Sequence, residues 1–319
     1  MRIGVTTTGG DAPGMNAAIR AVVRYAIPQG LEVVGIERGY AGLITNQIIP
    51  LNLRSVGGIL HLGGTFLKSA RCPEFKTPEG IKRSVEVLIE NKIDGLVVIG
   101  GDGSFRGAMD LSKASGISII GIPATIDNDV AGTDSTIGFD TAVNTALDAI
   151  DKIRDTALSH ERIFVVEVMG RNRGFLALEV GLAGGAGVIL IPEIKFKLDT
   201  MCKRLRVYEE SGKASTIIVA AEGIGDTAAV VNYIEKNTKY EVRFTKLGHI
   251  QRGGSPTARS RLLADLFAAK AVELLLQGAK DKMVGLKGNS VISVDFNYAC
   301  NAKKPLDKRL YKLAEDLAV

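Results

Sequence analysis

The stretch Leu96-Val97-Val98-Ile99-Gly100-Gly101-Asp102-Gly103-Ser104 decides the class of the fold. Four consecutive branched apolar residues make a short strand buried on both faces, and the glycines end it in a tight loop. Ser104 stands where a helix N-cap is wanted, and the pattern predicts a helix from there. Glycines at a strand-to-helix turn let a phosphate approach backbone N–H groups. A carboxylate among them, Asp102, suits a hydrated Mg²⁺ held together with that phosphate.

The same order recurs on either side. Arg2 to Thr6 reads as a strand, Gly9 to Gly14 as a glycine-rich loop and Asn16 to Tyr25 as a helix. Ile117 to Ile122 runs into Pro123-Ala124-Thr125-Ile126-Asp127-Asn128-Asp129, Phe164 to Val168 into Met169-Gly170-Arg171-Asn172-Arg173-Gly174, and Thr216 to Ala220 into Ala221-Glu222-Gly223. Strands alternating with helices through short loops imply α/β architecture, with parallel βαβ units in doubly wound sheets and ligands at the carboxyl ends of the strands. A chain of 319 residues exceeds the usual size of one core, so two domains are expected. No Pro-rich linker marks the join. The break is expected near Gly138 with a return near Gln251, giving 1–138 with 251–300 and 139–250 with 301–319.

Composition narrows the function. Hydrophobic residues reach 46% while aromatics are only 5% and Trp is absent, so the core is aliphatic, as parallel sheets require. Gly accounts for 37 residues without any G-x-y period, so the excess serves turns or ligand approach. The net charge of +5 is spread out, densest from Lys303 to Lys312, with no basic stripe carrying interleaved aromatics. That reads as a solvated surface and argues against a nucleic-acid partner. Cys72, Cys202 and Cys300 lack metal-ligand spacing, which argues against zinc and for a reducing, cytoplasmic setting. With the opening MRIGVTTTGGD, no signal peptide is expected. Val180 to Pro192, an uncharged stretch, is broken by glycines and too short to span a membrane.

Three constellations carry chemistry. Beside Gly100–Ser104 stands the loop with Gly9, Gly10, Asp11 and Gly14, which lacks the Lys of a P-loop. In Thr125-Ile126-Asp127-Asn128-Asp129, extended alternation would put Thr125, Asp127 and Asp129 on one side, where one carboxylate could accept a hydroxyl proton; an Asx-turn is the structural alternative. Phosphoryl transfer needs a positioned proton acceptor more than a strong base. The third is a set of loop arginines, Arg71, Arg162, Arg171, Arg243 and Arg252. Two polyanionic substrates in one cleft repel each other, and planar guanidinium groups neutralise and orient phosphates. Ser255 as N-cap with Pro256 at the first helical position would aim a helix N-terminus near Arg252, and His249 could donate to the same phosphate.

With GGDGS, TIDND, MGR and GHIQRGGSP present in this order, the chain resembles the bacterial 6-phosphofructokinases from its first strand to its C-terminal LYKLAEDLAV. The resemblance implies two Rossmann-like domains with mainly parallel sheets flanked by helices, and an active site in the cleft between an ATP-binding and a fructose 6-phosphate-binding domain. It implies a glycolytic ATP-dependent kinase acting on the 1-hydroxyl, with Mg²⁺ as cofactor, and a homotetramer. Asp127 would be the base, Thr125 a substrate hydroxyl partner, Asp129 an orienting carboxylate and Asp102 the Mg²⁺-linked acid. Arg71 and Arg171 would stabilise the transferring phosphoryl. Gly10, Arg71, Cys72, Gly101, Asp102, Gly103 and Ser104 would hold ATP. Arg162 and Arg243, reaching a neighbouring subunit, would hold the 6-phosphate with His249 and Arg252, while Met169, Gly170 and Glu222 shape the sugar pocket.

Pyrophosphate-dependent relatives usually carry Asp at position 103 and Lys at position 124; Gly103 and Ala124 are small here, which favours ATP. A pyrophosphate-dependent enzyme and a non-catalytic sensor of nucleotide or sugar phosphate are the rival readings. The intact Asp127, Arg171 and Asp102 speak against the sensor. For the family's effector cleft, Arg20, Arg24, Arg154 and Lys213 match. Gly187 stands where Glu is usual, Ser211, Ala214 and Ser215 where basic residues are usual, and Gly58 where Asp is usual. Weakened control by ADP and phosphoenolpyruvate is therefore expected. Phe175 and Ser260 also depart from the pattern, and Arg106 could touch adenine or solvent.

Overall fold

The computed structural model describes residues 1–213 and 215–318. Along the chain run β1 (Arg2–Thr7), α1 (Met15–Ala26), β2 (Glu32–Ile36), α2 (Tyr40–Ile44), β3 (Ile48–Leu51), α3 (Pro78–Glu90), β4 (Gly95–Gly100), α4 (Asp102–Ser115), β5 (Ser118–Thr125) and β6 (Ile137–Gly138). Then follow α5 (Phe139–His160), β7 (Ile163–Val168), α6 (Phe175–Ala183), β8 (Val188–Leu190), α7 (Leu198–Glu210), β9 (Thr216–Ala221), α8 (Thr227–Asn237) and β10 (Val242–Lys246). The chain ends with α9 (Ala258–Leu276), β11 (Lys282–Lys287), β12 (Ser290–Asp295), α10 (Phe296–Asn301) and α11 (Lys308–Leu317).

Two compact units result. The first joins Met1–Thr141 to Arg252–Lys304, and the second joins Ala142–Gln251 to the segment from Pro305 onward. Crossings after Thr141, Gln251 and Lys304 compare with expected ones after 138, 250 and 300.

In the first unit eight strands form one sheet, ordered β12-β11-β5-β4-β1-β2-β3, with β6 added beside the end of β5. β2, β1, β4, β5 and β11 run parallel, and β3 and β12 pair antiparallel at the two edges. All six residues of β4 are buried, the doubly covered strand that its apolar run predicts. On one face Phe105, Leu111, Phe75 and Phe296 pack over Val34, Leu96, Val98 and Ile119, and the rings of Phe105 and Phe296 stack at 5.5 Å. The chain leaves β1 toward β2 on one side and returns to β4 on the other, so the loops after β1 and β4 flank a switch point.

The second unit has a four-stranded, wholly parallel sheet ordered β10-β7-β9-β8. Ile163, Val165, Ile218 and Ala220 meet Leu205, Met201 and Ile234 in its core.

Two expected helix starts are corrected. α4 begins at Asp102, after Gly101 in extended conformation, without a side-chain cap. Ser104 is its third residue, and its hydroxyl donates instead to Thr8 O at 3.1 Å. α9 is capped by Thr257, whose hydroxyl accepts from Ser260 N at 3.3 Å. Ser255 lies upstream because its hydroxyl is committed to His61 O at 2.8 Å.

Candidate active site

In the first unit the loops after β1, β4 and β5 share the carboxyl end of the sheet. Thr8 N donates to Ile99 O at 3.0 Å and Ser104 Oγ to Thr8 O, so the first loop is bolted to the start of α4. Ser69 Oγ donates to Gly9 O at 2.6 Å, which ties in the segment leading to exposed Arg71 and half-buried Cys72. Arg252 Nη1 donates to Asp11 O at 3.2 Å. A Cβ on Gly10 would lie 2.5 Å from that nitrogen, so only glycine lets the guanidinium lie against the loop. Asp102 is partly exposed, and a Cβ at Gly103 would meet nothing within 4 Å. The uncapped first turn of α4 thus leaves N–H groups and open space for a phosphate.

The segment after β5 is not an extended run. β5 ends at Thr125, and Asn128 adopts a left-handed φ of 50°, a conformation that Asn tolerates through local hydrogen bonding. A turn built on the Thr125 side chain replaces the expected alternation: Asp127 N donates to Thr125 Oγ1 at 3.2 Å, and that hydroxyl donates to Asp127 Oδ2 at 3.4 Å. Thr136 Oγ1 braces the turn by donating to Thr125 O at 2.7 Å. Asp127 is 1% exposed, whereas Asp129 is partly exposed.

Farther along α4, a cavity of about 620 Å³ opens toward α3, lined by Phe75, Thr77, Ile81, Val85 and Asp110. The Phe75 ring stacks on Tyr40 at 3.9 Å, and Tyr40 donates its hydroxyl to Ser104 O at 2.5 Å. Burial, with Asp110 and Cys300 adding, drives the Tyr40 hydroxyl far above its usual range. It stays a neutral donor. Arg106, left open between adenine and solvent, donates to Cys300 O and to Asn301 Oδ1.

In the second unit the loop after β7 carries Met169, Gly170 and Arg171. Met169 is buried, and its N–H donates to Gln251 Oε1 at 3.3 Å. Gln251 is fully buried and holds Gly248 O with its Nε2 at 2.9 Å, setting the turn that carries exposed His249. Arg171 has φ 52°, and its N–H donates to Glu222 Oε1 at 2.6 Å. The far end of the loop is held by Glu193, which accepts from Gly174 N at 3.1 Å and pairs with Arg173 Nε at 3.4 Å. Arg173 also lies over the Phe175 ring at 5.1 Å.

Arg162 and Arg243 sit elsewhere. Both are held by Glu241: Arg162 Nε at 2.5 Å from Oε2, and Arg243 through its Nη2. The Arg162 hydrogen bond holds the Glu241 carboxyl below its usual range, with the charges of Arg162, Arg243 and His160 assisting against desolvation. This cluster lies at the amino ends of β7 and β10, whereas Arg171 and Glu222 lie at the carboxyl ends of β7 and β9. A six-residue strand separates them, roughly 20 Å at the usual rise.

Of the effector residues, Arg20 and Arg24 lie on α1 of the first unit and Arg154 and Lys213 in the second. Arg154 donates to Gly184 O. Lys213 Nζ donates to Ala318 O at 2.9 Å and lies 4.3 Å from the Tyr208 ring centroid. A Cβ on Gly187 would lie 2.6 Å from Thr216 Cγ2, while Gly58 has open space and φ 76°. Ala214 lies outside the described residues. Ser260 is buried, its hydroxyl 2.9 Å from Thr141 Oγ1.

The sequence reading missed Gln251, although it stands inside the GHIQRGGSP run, and Glu193, for which no local signal exists. Among the described residues no three metal-ligating side chains converge, and no helix is long and apolar enough to cross a membrane.

The family model described as Phosphofructokinase matches residues 2–275. The chain is 54% identical over 318 residues to the ATP-dependent 6-phosphofructokinase of Bacillus mycoides strain KBAB4, covering 100% of this chain and 99% of that one. It is 54% identical over 317 residues to the ATP-dependent 6-phosphofructokinase of Clostridioides difficile strain 630, covering 99% of each. Among solved structures it is similar to phosphofructokinase from Saccharomyces cerevisiae, with a TM-score of 0.89 and 34% identity, covering 100% of this chain and 48% of that chain.

Proposed function

The chain belongs to the phosphofructokinase family, and from that premise we propose how its residues move the γ-phosphoryl group of ATP to the 1-hydroxyl of fructose 6-phosphate. Asp127 accepts the proton of the attacking hydroxyl, the new O–P bond forms at that oxygen, and the bond to the β-phosphate oxygen of the leaving ADP breaks. The supporting observation is the turn that buries Asp127 and fixes its carboxylate against the Thr125 hydroxyl. A base need not be strong here, because the transition state is loose and positioning dominates.

In the first unit the open turn around Gly101–Gly103 receives donor phosphates, and the cavity between α3 and α4 takes the adenine. Asp102 suits a Mg²⁺ bound with the nucleotide, since that ion takes one or two carboxylates and completes its shell with phosphate oxygens and water. When bound it would offset charge on the donor phosphates. In the second unit Arg171 stabilises the transferring phosphoryl, and Met169, Gly170, Glu222 and His249 line the sugar phosphate. Arg162 and Arg243, a strand's length from Arg171, serve the 6-phosphate of a neighbouring copy, which supports a homotetramer. The unpaired Cys72, Cys202 and Cys300 favour the cytosol.

The test is steady-state phosphorylation of fructose 6-phosphate with Mg-ATP or pyrophosphate, comparing the wild type with Asp127→Ser. ATP-dependent turnover that falls by about 10² to 10⁴ in the variant, the usual scale for a lost general base, supports both donor and base. Turnover with pyrophosphate alone would reverse the donor assignment, and full activity of Asp127→Ser would remove Asp127 from its role.

A further inference from the structure

We propose that Lys304, the last residue of the first unit, is a positioning residue for the loop that carries Asp127. This rests on the reading of Asp127 as the proton acceptor. The basic stretch around Lys304 looks like solvated surface in the sequence, but its ammonium has internal partners. Lys304 Nζ donates to Asn128 Oδ1 at 2.8 Å and to Asp134 O at 3.0 Å, from 176 and 170 positions away along the chain.

Asn128 is the residue after Asp127 and the one in left-handed conformation that reverses the chain there. Its Nδ2 donates to the same Asp134 carbonyl at 3.2 Å. The Lys304 ammonium, the Asn128 amide and the Asp134 carbonyl therefore close a triangle across the mouth of the 128–134 loop. The far side of that loop is anchored on β11, where Asp134 N donates to Leu286 O at 2.8 Å and Leu286 N to Thr133 Oγ1 at 3.0 Å. Lys304 ties the residue beside the base to this anchored end with charge-assisted bonds, the stronger kind. Thr125 orients Asp127 from before and Asn128 from after. Without Lys304 the second hold loosens and the carboxylate loses its fixed direction, to which a transfer reaction is sensitive at the scale of one ångström.

The experiment compares full-length wild type, Lys304→Met, Lys304→Arg, Asp127→Ser and Asp127→Ser/Lys304→Met by steady-state kinetics, with urea unfolding of each to show that it is folded in the assay. Lys304→Met is expected to lower kcat about tenfold with the KM for ATP unchanged within about twofold, the scale of the charge-assisted bond to Asn128. Lys304→Arg should recover most of the rate, and Lys304→Met should cost nothing more once Asp127 is Ser. An unchanged kcat in Lys304→Met, or a full tenfold loss persisting in the Asp127→Ser background, would overturn the proposal. Full activity of Asp127→Ser would instead overturn the role of Asp127, and with it any positioning role for Lys304. Should Lys304→Met not fold, Asn128→Gly keeps the positive φ and removes the amide; the same fall in kcat is expected, and an unchanged kcat would overturn the proposal.

Discussion

The backbone N–H of Arg171 donates to Glu222 Oε1 at 2.6 Å, so the loop after β9 holds the loop after β7 through one carboxylate. Arg171 occupies left-handed backbone space, which costs an ordinary residue free energy unless its surroundings hold it. Glu222→Ala should therefore cost about 10- to 100-fold in kcat/KM for fructose 6-phosphate, the equivalent of one charge-assisted hydrogen bond. Glu222→Gln, which keeps an acceptor, should cost less. Equal losses in the two variants would mean that Glu222 acts through its charge on substrate and not through the Arg171 N–H.

Glu241 aligns Arg162 with Arg243. Exposed ion pairs contribute little to stability, so on the proposed role of the two arginines the consequence falls on binding. Glu241→Ala should raise the KM for fructose 6-phosphate by roughly three- to tenfold, as expected when two guanidinium groups lose a shared orientation, with kcat and the urea midpoint nearly unchanged. A KM that falls would show that Glu241 competes with the phosphate for the arginines.

At Gly187 packing decides. A Cβ there would stand 2.6 Å from the Thr216 methyl, in a buried wall, so Gly187→Ala should destabilise by about 1 to 3 kcal/mol, the usual range for overpacking. Thr216→Ser removes the obstructing methyl and should recover most of that loss. Denaturant melts of the four proteins in the cycle measure it; strictly additive effects would show that the two positions do not meet.

Lys213 meets the carbonyl of Ala318 and the Tyr208 ring, and burial, then the charges of Arg204 and Arg154, lower its affinity for a proton. With that cation partnered and no carboxylate at position 187, millimolar phosphoenolpyruvate should leave fructose 6-phosphate saturation hyperbolic. Strongly sigmoidal kinetics would contradict this.

Burial pushes the Cys300 thiol up to about 11, with Asp102 and Asp110 adding and Arg106 opposing. A thiol raised above its unfolded value stabilises the fold fully below pH about 9 and loses that contribution as pH climbs through about 11. The urea midpoint of the wild type should thus fall more steeply between those values than that of Cys300→Ala. Parallel pH profiles would remove Cys300 from the alkaline transition.

Much of the site was legible because its signals are local. Gly100 to Ser104 and Thr125 to Asp129 each lie within one strand and the turn after it, and turn chemistry is written in adjacent residues. Even there the detail slipped: Ser104 gave up the cap to an extended Gly101 because the Thr8 carbonyl, 96 positions away, took its hydroxyl. Asp127 owes its direction to a Thr125 turn and not to strand alternation.

By itself the sequence determined the α/β class and marked the loops proposed to hold the chemistry, since strand and helix periodicity and glycine turns are short-range properties. Only the tertiary structure decided which side chains hold those loops. Gln251 reaches Met169, Glu193 reaches Gly174 and Lys304 reaches Asn128. Such pairings follow from chain closure and from the need to satisfy buried polar groups, and no window of neighbouring residues encodes them.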